Sequence, residues 1–156
     1  STFGANIEVE DTVVGTVQYI DKSIGTVEVT TSARPDDFEA SISIVGSKGL
    51  AQIGGIAVNE LQIFTPQPLD CEKFSEDFSG NVYGNGHLKI YKEIVNDLND
   101  KESFSISNDD AKKTVELLNA FYVSNETQKT TDLSEKKDSI NLGKEDENLS
   151  KLYTYK

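Results

Sequence analysis

Residues 38–64 read FEASISIVGSKGLAQIGGIAVNELQIF, and their periodicity decides the fold class. Apolar residues alternate with small or polar ones through ISIVG and again through LAQI, as half-buried strands require. Between them, Ser47-Lys48-Gly49 is a tight-turn signal. After Gly54-Gly55, the run IAVNELQIF supplies a further strand. Upstream, VEDTVVGTVQYI and IGTVEVTTSA are rich in Val, Ile and Thr and flank the polar loop Asp21-Lys22-Ser23. Five strands within residues 7–64, joined mostly by short turns, form an antiparallel sheet, because parallel pairing needs long crossovers.

Downstream the period changes. TPQPLDCEKFSEDFSG, with two prolines and no sustained period, reads as an excursion loop. Leu88, Tyr91, Ile94, Val95 and Leu98 then follow helical spacing and give one apolar stripe. Ser107-Asn108-Asp109-Asp110 starts a second helix, whose acids suit the positive end of the dipole, and Ala111, Val115, Leu118, Phe121 and Tyr122 are its expected buried residues. From Thr130 the chain turns polar, with a short amphipathic end at Leu149, Leu152 and Tyr153. Strands followed by helices define an α+β class: an open, predominantly antiparallel sheet with helices packed on one face. The other face must meet solvent, another domain or another subunit.

Composition narrows the function. The 156 residues suit one domain, and a formal net charge of −12 argues against nucleic acid or an anionic membrane as partner. No apolar run approaches the ~18 residues of a membrane span. Cys71 is the single cysteine, so no intrachain disulfide can form, and a reducing, cytoplasmic setting is expected. His87 is the single histidine, which leaves too few ligands for a Cys/His metal site. No P-loop and no GxGxxG occurs; Gly84-Asn85-Gly86 precedes a helix but follows no buried parallel strand. The residues reveal no self-sufficient enzyme: no catalytic, cofactor-binding or metal-binding residue is expected in this chain.

Three blocks carry a family resemblance: TSARPDDFEASISIVGSKGLAQIGGIAVNEL, GNVYGNGHLKIYKEIVNDL and SNDDAKKTVELLNAFYVSNET. With ARP, IGG-x-AVN and GxGH in that order, they resemble the C-terminal sheet domain of the glucose-fructose oxidoreductase and inositol dehydrogenase (Gfo/Idh/MocA) family over residues 7–131. Within the family they are most similar to UDP-N-acetyl-hexosaminuronate dehydrogenase-like members, which oxidise a sugar 3-hydroxyl. The resemblance implies an N-terminal Rossmann domain, absent from this chain, that would bind NAD or NADP. With no methionine anywhere, residue 1 reads as a cut or processed site. The expected organisation is residues 1–131 as a substrate-binding and oligomerisation domain and residues 132–156 as a polar tail packing on it. The expected partners are a sugar or sugar-nucleotide substrate, the chain's own Rossmann domain, and further copies in a homodimer or homotetramer through the sheet face. The rival reading is a stand-alone, non-catalytic binding or assembly module.

Four residues are candidates for substrate contact. Arg34, the sole arginine beside 14 lysines, could clamp a carboxylate or diphosphate through its planar fork or pair at the surface with Asp36 or Asp37. His87 stands either as a contact at a helix start facing an anionic ligand or as a packing residue there; the resemblance puts the family's catalytic base upstream of this chain. Tyr83 and Asn81, in the same turn, could reach a sugar or uracil, or serve only to pack the loop.

Overall fold

The computed structural model of the chain describes residues 7–33, 35, 39–78, 83–84 and 86–151. Its strands are β1 (Thr12–Gln18), β2 (Ile24–Thr30), β3 (Ile42–Gly46), β4 (Gly49–Gly54) and β5 (Glu60–Phe64). Its helices are α1 (Asp70–Lys73), α2 (Gly86–Leu98), α3 (Asn108–Thr127) and α4 (Glu147–Lys151), with a 3-10 turn at Leu133–Glu135. The elements fall into two compact units, Ser1–Ala33 with Ile106–Lys156, and Arg34–Ser105.

The class is α+β and every strand pair is antiparallel, as the alternation predicts. Among the described residues the ladders are two, β1-β2 and β3-β4-β5. The connection from β2 to β3, residues 31–41, is too long for a tight hairpin and carries Pro35 with Asp36 and Asp37, so the first pair closes on itself.

In the first unit, the β1-β2 register sets Val13 opposite Val29, Gly15 opposite Val27 and Val17 opposite Gly25 on one face. Thr12 with Thr30, Val14 with Glu28 and Thr16 with Thr26 share the other. The tight turn is held by Asp21, whose carboxylate accepts from the Ser23 amide at 3.0 Å and hydroxyl at 2.7 Å. At the open end, Thr31 N donates to Asp11 O at 2.8 Å, and the buried Asp11 carboxylate accepts from Ser32 Oγ at 2.5 Å.

Helix α3 reaches the apolar face of this hairpin at Gly15. A Cβ there would fall inside van der Waals contact with the Phe121 ring, so glycine is what lets the ring approach the strand. The helix starts as its sequence predicts: Ser107 Oγ accepts from Asp110 N at 3.1 Å, while Lys113 pairs with Asp110 at 3.1 Å. Its buried stripe differs from the expected one. Val115 and Leu118 are exposed at 61% and 49%, as is Ala111, whereas Val123 is 3% exposed and is the one fully buried apolar side chain among the described residues. Apolar residues run nearly all round the turn from Leu117 to Val123, so the seam is fixed by where Phe121 finds a gap in the strand and not by the helix's own period.

In the second unit, Ile42 pairs with Ile53, Ile44 with Ala51, Ala51 with Phe64 and Ile53 with Leu61. Partners opposite one another share a face, so one side of this sheet is wholly apolar. The other carries Ser43, Gln52, Val45, Leu50 and Ile63, with the Gln52 amide bonded to Gln62 at 2.7 Å across a register shift. Strand β5 begins four residues later than IAVNELQIF predicts. Gly55 (φ +88) and Val58 (φ +56) turn the chain, and Asn59 Oδ1 accepts from Ala57 N at 3.3 Å. A β-branched residue in the left-handed region is strained, and Asn59 holds it there.

The excursion loop returns along the outer edge of β5. Glu76 N donates to Asn59 O at 2.9 Å, Asn59 Nδ2 to Glu76 O at 2.7 Å, and Leu61 N to Ser75 Oγ at 3.0 Å. The loop therefore occupies the bonding groups that an exposed edge strand would offer. Helix α2 is fastened at its end by the return loop, with Phe104 N on Asp97 Oδ1 at 3.1 Å and Ser105 Oγ on Glu93 at 2.7 Å.

Candidate functional site

Two of the four candidate residues meet at the entry to α2. The Tyr83 and His87 rings lie edge to face, with centroids 6.2 Å apart and planes at 62°. Gly84, between them, has φ +55, and a Cβ there would overlap the Phe78 ring. Glycine thus serves the turn twice, through its left-handed conformation and through the close approach of Phe78. That aromatic floor was not singled out in the sequence; the signal available was an aromatic residue six positions before the glycine. Both Tyr83 and His87 are solvent-exposed, Tyr83 at 75%, beside the first turn of α2. Arg34 and Asn81 lie outside the described residues.

The chemistry this arrangement offers is recognition. An aromatic face can lie against a sugar or base, the imidazole can donate or accept a hydrogen bond, and the amides of the first helical turn favour an anion. No nucleophile or acid–base pair accompanies His87 in the described hydrogen bonds. No group of three His, Cys, Asp or Glu among the described residues is placed to hold a metal.

A second concavity runs beside β5, an open groove of about 390 Å³ lined by Asn59, Glu60, Leu61, Gln62, Ser75, Glu76 and Asp77. Three carboxylates on its wall oppose an anionic ligand, and Asn59 is occupied in holding the loop. The groove is a by-product of edge capping. Cys71 is half-buried and reduced in α1.

The chain matches no family model and no curated protein. Among solved structures it is similar to the WlbA dehydrogenase from Bordetella pertussis in complex with NADH and UDP-GlcNAcA, with a TM-score of 0.72 and 29% identity over 82% of this chain. It is also similar to the WlbA dehydrogenase from Chromobacterium violaceum in complex with the same two ligands, with a TM-score of 0.65 and 31% identity over 80% of this chain. In fold and in about three tenths of the aligned residues, the chain is similar to WlbA dehydrogenases of the Gfo/Idh/MocA family, in agreement with the resemblance that its sequence blocks carry. The chain spans 38% and 35% of the lengths of those two proteins.

Proposed function

We propose that this chain is the substrate-binding and oligomerisation domain of an NAD(P)-dependent sugar or sugar-nucleotide oxidoreductase, with a UDP-linked hexosaminuronate as substrate. One observation carries the reading: the fold and about three tenths of the aligned residues are shared, over four fifths of the chain, with dehydrogenases whose complexes hold NADH and UDP-GlcNAcA. Hydride transfer then belongs to a separate nucleotide-binding domain, and this chain supplies contacts from Arg34, Asn81, Tyr83 and His87. Arg34 grips the carboxylate or diphosphate through its planar fork; Tyr83 and His87 bracket the sugar or uracil. Copies of the chain associate as a homodimer or homotetramer through the apolar face of the β3-β4-β5 sheet. The lone Cys71 suits a cytoplasmic enzyme.

The test is a titration of the chain with UDP-GlcNAcA and, separately, with NADH, followed by NMR. The sugar nucleotide is expected to shift the ring signals of Tyr83 and His87, and NADH is expected to leave the spectrum unchanged. Arg34→Lys, which keeps the charge but loses the fork, should weaken sugar-nucleotide binding by roughly 10- to 150-fold, the range of a charge-assisted hydrogen bond. Micromolar NADH binding by this chain, or no response of either ring to the sugar nucleotide, would overturn the assignment.

A further inference from the structure

In the first unit, the stretch after the 3-10 turn is tied to α3 at two points. Asn119 Nδ2 donates to Lys137 O at 2.5 Å, and Asn119 Oδ1 accepts from Ser139 N at 2.9 Å. About two turns further along the helix, the Glu126 carboxylate accepts from Ser139 Oγ at 2.5 Å, Asn141 N at 2.9 Å and Ile140 N at 3.3 Å. Ser139 Oγ in turn accepts from Asn141 N at 3.0 Å and Leu142 N at 2.8 Å. Positions 119, 123 and 126 share one helical stripe, so both ties flank Val123, the buried apolar side chain of α3.

The segment has little apolar anchorage. Ile140 is 66% exposed and Leu142 36%, and its hydrogen bonds to the helix run through two helix side chains. A segment held by few buried apolar contacts and by solvent-exposed hydrogen bonds opens separately from the element beneath it. We propose that residues 137–142 form a strap that opens independently of α3, with Glu126 as its latch. The inference concerns this chain's own conformational equilibrium and stands apart from the substrate assignment.

The Glu126 pKa is lowered, first by the Ser139 hydroxyl, then by the Asn141 and Ile140 amides and by Lys144, as bonds that favour the carboxylate form require. The residue is solvent-facing, so the latch depends on geometry more than on burial.

Amide hydrogen exchange on the full chain tests this. Glu126→Gln keeps size and removes the charge; Ser139→Ala removes the hydroxyl that joins Glu126 to the amides of Asn141 and Leu142. Both variants should raise exchange at Ile140, Asn141 and Leu142 by about tenfold or more, the size expected for losing hydrogen bonds to a charged group, while α3 amides change less than about twofold. Unchanged exchange in the strap in both variants would remove Glu126 as a latch. Exchange rising equally in the strap and α3 would make them one cooperative unit and overturn the proposal.

Discussion

The two units dispose of their apolar surface in different ways. The β1-β2 pair gathers Val13, Val17, Val27 and Val29 with two glycines on one face, reached by Phe121 of α3, and turns a threonine-lined face outward. The β3-β4-β5 sheet has a face of Ile42, Ile44, Ala51, Ile53, Leu61 and Phe64, on which Ile42 and Ile44 remain 57% and 62% exposed. Helix α2, in the same unit, leaves Leu88, Tyr91, Val95 and Leu98 more than half exposed. That exposed apolar face is the surface on which the proposed association would rest, whereas in the first unit α3 reaches the apolar face of the hairpin. The contrast teaches that alternation identifies a strand's apolar side without saying what covers it.

The largest effect should follow from charging the uncovered face. Ile44→Glu is expected to weaken self-association at least about 100-fold, because a two-fold contact loses two buried isoleucines at roughly 1.5–3 kcal/mol each; Thr16→Glu, on the outward face of the first unit, should leave it unchanged. Sedimentation across a concentration series decides, and equal behaviour of the two variants would erase the distinction between the units.

A smaller effect should come from the covered face. Gly15→Ala forces Phe121 out of its seat and should destabilise the first unit by about 1–3 kcal/mol. Gly86→Ala, where an added Cβ meets nothing within 4 Å, is the control, with an unchanged or slightly raised thermal midpoint. If Gly15→Ala melts with the control, Phe121 is not what the first unit closes upon.

The smallest effect is in pH dependence. Asp21, Asp110, Glu126 and Asp132, all in the first unit, have lowered pKa values, each caused first by a serine hydroxyl: Ser23, Ser107, Ser139 and Ser134. A folded-state pKa below the unfolded one adds stability that is complete above the unfolded value and is lost as pH falls through the folded one. Acidification below about pH 4, the ordinary carboxylate range, should therefore loosen these turns and caps first. Residue-resolved exchange at the Ser23, Asp110, Ser134 and Asn141 amides between pH 6 and 3 measures it; protection that persists through this range would show that these bonds do not depend on the carboxylate charge.

Much of this architecture is legible in the sequence, and particular residues show why the rest is not. The hairpin at Ser47-Lys48, the cap at Ser107 and the helix after Gly86 follow from local chemistry, which needs only neighbours. The start of β5 does not, since Val58 sits in a backbone region its side chain disfavours, under a constraint imposed by Asn59 and Glu76. Val123 is invisible for a related reason: its burial depends on where α3 lands on β1. At the candidate site, the pairing of Tyr83 with His87 was legible from the glycine turn they share, while Phe78 beneath it is a contact that spacing alone could not single out.

The loop that seals β5 also limits how the molecule can grow. With residues 75 and 76 bonded along that edge, strand addition there is blocked. Among the described residues, the opposite boundary of the sheet is β3, which pairs only with β4. Strand addition to this three-stranded sheet is thereby confined to its β3 side. The Ser75 and Asn59 bonds therefore act as an edge guard for this sheet as well as a fastening for the loop.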